Sequence, residues 1–428
     1  MVQCTEHRRR HAERPNWLES GAAERFYADL SRSRRLCDGG RSANRRKTPA
    51  SSENRKIAMA KSVAADLTEG ESRRRDALVG RLFEAMLGTQ DLLTIYLGDR
   101  LGLYRALEEQ GPATSGELAA RTGTHERYMR EWLEQQAVTG ILTVDDAGRE
   151  ATARRYSLPA GHAEVLLDLD SLNYLAYIGR FPVALAQAIP GILKAFRTGG
   201  GVLWEDFGPD AREGQAEQNR PIFRHLLGTT WLPALPALHA RLRAHPPARV
   251  ADIACGAGWS SIAIAEAYPE VRVDGFDLDE ASIALARSNA AEVGLGERVT
   301  FHVRDAADPT LTGCYDLIII CEALHDLPQP VEVLRGMRAR LAEGGTVLVV
   351  DERIAEQFTA PGDELERLYY GFSVLCCLPA GMAESPSAAT GTVMRPATLR
   401  RYARDAGFQD IEILPIEHDL FRIYRLVV

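Results

Sequence analysis

Apolar residues recur at helical spacing from Leu92 through Leu93, Ile95, Tyr96, Leu97, Leu101, Leu103, Tyr104 and Leu107, which predicts one long helix with a broad buried face ending at Gly111-Pro112. Thr114 with Glu117 three residues on predicts a capping box and a short helix through Arg121, turned by Gly123. Thr124 then caps a second helix over 125–138, stopped by Gly140. ILTV at 141–144, an Asp-Asp-Ala-Gly turn and RRYSL at 154–158 read as a hairpin wing. Two helices around a tight turn followed by a hairpin make a winged helix. Residues 161–245 read as mostly helical, with breaks at Gly199-Gly200-Gly201 and Gly208-Pro209. Their aromatic residues Tyr174, Tyr177, Trp204 and Phe207 suit either a pocket wall or an interdomain core.

Beyond 245 the pattern changes to strands near 249–254, 271–277, 298–303, 315–321 and 345–351 with helices between, as in a parallel sheet covered on both faces. The last two strands, IEILPI and LFRIYRLVV, are separated only by Glu417, His418 and Asp419. That is too short for a helical crossover, so they pair antiparallel. The expected fold is α/β, a Rossmann-like seven-stranded sheet with an antiparallel last strand, preceded by a mainly α winged-helix domain. Its divisions fall at 59–160 for the winged helix, 161–245 for a helical connector or substrate cap and 246–428 for the sheet domain. A lid insertion is expected over 353–395, with a helix near 363–376 and then a loop rich in Gly, Pro, Ser and Ala. Tyr369, Tyr370, Phe372 and Met394 are positioned to touch substrate from it, and Cys376-Cys377 reads as helix packing.

Composition narrows the class. With 45% hydrophobic and 26% charged residues over 428 positions, the chain reads as a globular protein of two domains. No uncharged apolar run reaches about 18 residues, so no membrane span is expected. The seven cysteines show neither zinc-site nor disulfide spacing, and no apolar leader opens the chain, which points to a reducing, cytoplasmic setting. Residues 1–58 carry 14 Lys+Arg against 7 Asp+Glu, leaving 37 against 52 in the remainder. These first residues read as a disordered extension, or as a start placed upstream of the true one at Met59. In the second winged helix, THERYMREWLEQQ, Arg127 and Arg130 are offset by Glu126, Glu131 and Glu134, so nucleic acid is not an expected partner. The same unit serves as a dimerisation and substrate-positioning module.

Chemistry concentrates at VADIACGAGWS, residues 250–260, where a strand runs through a glycine turn into a helix and brings backbone N–H groups to one point. A nicotinamide dinucleotide would want a third glycine where Ser261 stands, which sets a dehydrogenase aside. Asp277 lies twenty-one residues beyond Gly256 at the end of the second strand, Asp305-Ala306 follow the third, and His325-Asp326 follow the fourth in CEALHDLPQP. Asp351 ends the fifth.

Together these motifs resemble a class I S-adenosylmethionine-dependent methyltransferase, of the bacterial two-domain type related to plant small-molecule O-methyltransferases. The resemblance implies that Asp252, Ala254, Gly256 and Gly258 form the cofactor loop, with Ala254 in place of the first glycine and tolerable there if its φ stays negative. It implies that Asp277, beside Leu278, accepts the ribose hydroxyls, that Asp305 and the Ala306 N–H hold the adenine, and that Cys321 lies by the sulfonium. His325 would be the general base, a neutral imidazole near pH 7, with Asp351 orienting it. A histidine at this site also serves some methyltransferases merely by packing against the cofactor. The implied function is methylation of a small organic metabolite at a hydroxyl oxygen by a homodimer. The alternative is a cofactor-sensing winged-helix regulator that binds DNA. No acid cluster with octahedral oxygen ligation stands out, so no metal is expected.

Overall fold

A computed structural model of the chain describes residues 67–428, and the reading of 1–58 as an extension lies outside the described residues. The chain divides into two compact units at Gln90/Asp91. In the first, Thr68 and Glu71 cap one another at 3.3 and 2.9 Å and start helix α1 (Glu69–Arg100).

The second unit opens with the winged helix. The long helix expected through Leu107 is interrupted, because Gly102 takes a left-handed conformation and starts a separate helix, α2 (Leu103–Gln110). Apolar spacing alone cannot register that break, since both helices bury one face against the same core. The capping box of Thr114 and Glu117 starts α3 (Ser115–Thr122) as expected. His125, one residue later than expected, caps α4 (Glu126–Val138) through its ring nitrogen, 3.2 Å from the Arg127 N–H. The wing is a two-strand hairpin, β1 (Thr143–Val144) and β2 (Tyr156–Ser157). On α4, Arg127 pairs with Glu131 and Arg130 with Glu126, while Arg154 of the wing pairs with Glu134.

Tyr174, Tyr177 and Phe207 are buried, as the interdomain-core reading requires, whereas Trp204 is half-buried. Residues 176–198 are long and apolar enough by composition to cross a membrane. Here Ala184, Ala188 and Ile192 of that stretch pack instead on Val202, Phe207 and Ala211.

Seven strands form the sheet: β3 (Arg249–Ile253), β4 (Arg272–Asp277), β5 (Val299–Val303), β6 (Tyr315–Cys321), β7 (Leu341–Glu352), β8 (Asp410–Ile413) and β9 (Phe421–Val427). Their order is β5-β4-β3-β6-β7-β9-β8, with the last two strands antiparallel to their neighbours as expected. Alternate residues of β6 feed opposite cores, Leu317 and Ile319 on one face and Ile318 and Ile320 on the other. The strand order reverses between β3 and β6, where such sheets open a ligand crevice at their carboxyl edge.

Candidate active site

The glycine turn sits at that crevice. Gly256 has φ +51 with open space beside it, so a ligand can approach the turn closely there. Gly258 has φ +81, and a Cβ there would lie 2.6 Å from the Phe301 ring, so nothing larger fits. Ala254 departs from expectation: its φ is +53, in the left-handed region, not negative. An L-residue there costs about 1–2 kcal/mol. Ala254→Gly is therefore expected to stabilise the fold by roughly 0.5–1 kcal/mol after the entropic cost of glycine, read from urea unfolding. An unchanged midpoint would mean that the turn carries no strain.

Asp252 is fully buried, and its Oδ2 accepts the Ser260 and Ser261 hydroxyls at 2.6 Å each. Burial outweighs these bonds and pushes its carboxyl up to about 6. It shapes the turn from beneath. Asp277 accepts the Gly256 N–H at 2.8 Å and the Asp279 N–H at 2.9 Å, which locks the second strand to the glycine turn. Leu278 beside it is exposed, a free apolar surface at the strand end. Asp305 is exposed and spends one oxygen on the Ala307 N–H at 2.8 Å, while Ala306 packs against the core. Cys321 is buried, which keeps its thiol neutral.

His325 is brought to the same edge by the loop after β6 and is 2% exposed. Its Nδ1 lies 2.8 Å from Asp351 Oδ1 and 3.0 Å from Glu352 Oε2, and its Nε2 lies 3.2 Å from Asp326 Oδ1. Burial favours the neutral ring, but Asp326, Glu352 and Asp351 outweigh it and raise the ring well above its ordinary value. These carboxylates therefore favour the protonated ring. Glu352 went unread because successive strand residues point to opposite faces. At the end of β7, both Asp351 and Glu352 nonetheless reach one nitrogen.

Glu322 is a second residue whose environment the sequence did not disclose. It holds φ +52, and its Oε2 accepts from Gln215 at 3.0 Å and Gln218 at 3.3 Å, while Oε1 is buried without a partner. Both amides come from a helix of the connector, Gly208–Ile222. Burial pushes the carboxyl up to about 8. Between pH 4.5 and 8 the folded state therefore keeps a proton that the unfolded state has lost, and stability falls as pH rises. Glu322→Gln mimics the protonated acid. Its unfolding free energy, read from denaturant titrations, is expected to match the parent near pH 5 and to exceed it increasingly up to pH 8, by roughly 1–3 kcal/mol. A constant difference across that range would refute the assignment.

The insertion packs closely against this loop. Gly391 N–H donates to the His325 carbonyl at 3.1 Å and Ala388 N–H to that of Pro328 at 2.8 Å. Tyr369 commits its hydroxyl to the Leu420 carbonyl at 2.6 Å, and Met394 is buried in the core, so neither presents the surface expected for substrate. Phe372 stacks edge-on against Phe181, and Tyr370 lies 3.3 Å from Arg395.

Comparison with known proteins agrees with this architecture. Residues 244–388 match the methyltransferase domain family, and residues 90–167 match the Rv2258c-like winged HTH domain. The trans-aconitate 2-methyltransferase of Streptomyces coelicolor is 30% identical over 152 residues, covering 32% of this chain and 49% of that protein, so the chain spans about half the length of this curated relative. The mitomycin biosynthesis 6-O-methyltransferase of Streptomyces lavendulae is 26% identical over 294 residues, 64% of this chain and 77% of that one. The structure of human N-acetylserotonin methyltransferase in complex with SAM superposes with a TM-score of 0.59 at 17% identity, covering 85% of this chain and 99% of the other. The chain thus joins an Rv2258c-like winged-helix domain to a methyltransferase domain of the class I S-adenosylmethionine-dependent fold.

Proposed function

We propose that this protein transfers a methyl group from S-adenosylmethionine to a hydroxyl oxygen of a small organic metabolite. The observation that carries the reading is the position of His325, buried among carboxylates at the sheet edge that also bears the open Gly256 turn. The residues present fit the cofactor. Gly256 leaves room for a ligand to approach its backbone, Asp277 retains lone pairs at the strand end, and Leu278 offers an apolar face to a base. Ala254 and Gly258 complete the turn, and we assign Asp305 and Ala306, just after β5, and Cys321, at the end of β6, to the same cofactor. Bound S-adenosylmethionine would supply an electrophilic methyl group.

The protein's part is to hold the acceptor in line and to remove its proton. Asp351 accepts from Nδ1 and so, when the ring is neutral, holds its one N–H proton there and leaves the lone pair on Nε2. Asp326, whose side chain is 35% exposed, gives the Nε2 proton a way out to water. His325 is then free to take the acceptor proton.

We further read the protein as a cytoplasmic homodimer that does not bind nucleic acid. Support comes from the paired arginines of α4, from the free thiols of all five described cysteines and from exposed Leu78, Leu82, Met86, Leu93 and Leu97 along α1. Calorimetry tests the core of the proposal: micromolar affinity for S-adenosylmethionine or its demethylated product is expected, and no measurable heat with either would sink it.

A further inference from the structure

We propose that His325 Nε2, Asp326 Oδ1 and Cys377 Sγ form a zinc site whose occupation blocks methyl transfer. One ligand atom from each residue lies within 4.8 Å of the other two, and the nitrogen and oxygen are 3.2 Å apart. A tetrahedral zinc ion with bonds of about 2.0–2.3 Å sets neighbouring ligand atoms about 3.3–3.6 Å apart, so small side-chain rotations close the site.

Three features favour a metal over a hydrogen-bonded triad. Asp326 Oδ1 is shielded from solvent and accepts no well-directed hydrogen bond, although Nε2 lies beside it. On the far side of the ring, Nδ1 pairs with Asp351 Oδ1 at 2.8 Å, which turns the Nε2 lone pair toward Asp326 and Cys377 when the ring is neutral. A carboxylate behind a histidine is the usual support of a metal-bound imidazole. The mixed nitrogen, oxygen and sulfur set suits zinc and disfavours magnesium or calcium.

Only one of the two adjacent cysteines takes part. Cys377 ends the π-helical turn Ser373–Cys377, which packs on Gly391, whose N–H is bonded to the His325 carbonyl. Cys376 points to the apolar cluster of Ala184, Ala188 and Ile192. The fourth zinc position stays open to water or acceptor. Zinc on Nε2 removes the lone pair that takes the acceptor proton, and this inhibitory consequence rests on the role proposed for His325.

The metal site is tested without turnover. The full chain, freed of metal by a chelator, is titrated with Co2+ as a spectroscopic probe. One equivalent is expected to give tetrahedral visible bands and a near-ultraviolet thiolate-to-cobalt band, both abolished by Zn2+. Cys377→Ser should lose the thiolate band and weaken binding roughly 10–100-fold, whereas Cys376→Ser should keep both. Affinity of both variants for S-adenosylhomocysteine reports that they remain folded. Absence of the thiolate band, its survival in Cys377→Ser or its loss in Cys376→Ser overturns the site. If cobalt binds as expected but no methyl-cofactor affinity exists, the site stands and the methyltransferase reading falls. In an active preparation, saturating Zn2+ should abolish turnover reversibly, and unchanged or increased turnover overturns the inhibitory role.

Discussion

Replacing His325 with Ala is expected to lower turnover by roughly a hundredfold or more, while affinity for S-adenosylmethionine stays within about twofold. The ring is fixed at Nδ1 by Asp351, whereas the cofactor turn is held independently by Asp252 and Asp277. Chemistry and cofactor binding therefore rest on separate residues. Removing the ring also leaves Asp351 and Glu352 buried and uncompensated, so the alanine variant is expected to be less stable by a few kcal/mol. Asp351→Asn separates the two effects. It keeps the packing but presents an amide to Nδ1, which favours the tautomer with the proton on Nε2. Its kcat should fall with KM little changed, and a histidine that only packs against the cofactor would show no such fall. Full activity in both variants would leave proximity alone as the source of catalysis.

The frame of this site was legible because local chemistry dictates it. A strand carrying Asp252 and running into Ala254, Gly256 and Gly258 has few ways to turn, and the short link between the last two strands forces the antiparallel hairpin. Asp351 was legible for the same reason, as an acid at a strand end. What escaped detection depends on long-range packing. Gln215 and Gln218 reach Glu322 across more than a hundred residues, and Cys377 meets His325 only because the insertion folds back on the loop after β6. The sign of the φ at Ala254 was equally hidden, since alanine gives no local signal for a left-handed turn. The further carboxylates around His325 were hidden likewise, since Asp326 and Glu352 join Asp351 at the ring only through the fold.

Arg180→Met is expected to produce the largest loss of stability, about 3–5 kcal/mol by denaturant unfolding. The guanidinium is 7% exposed and lies 3.0 Å from Asp99, 2.5 Å from Glu213 and 2.8 Å from Glu217, with Asp210 at 3.8 Å. Arg100 helps offset Asp210 and Glu213, but among the described residues Asp99 and Glu217 have no other cation within ion-pair distance. Methionine preserves most of the volume, so the cost measures charge and not a cavity. A cavity of about 170 Å³ lined by Tyr104, Tyr174, Arg180 and Glu217 lets water reach the vacated carboxylates, which places the expected value toward the lower end of that range. Asp210, Glu213 and Glu217 follow helical spacing on one face of Gly208–Ile222, whose Gln215 and Gln218 hold Glu322 from another. Loosening the charged face should therefore disturb the site as well, lowering turnover before the protein unfolds. Adding Glu217→Gln removes one stranded charge and should recover part of the lost stability. If the double variant is no more stable than Arg180→Met, stranded charge is not the cause, and lost packing of the arginine stem is.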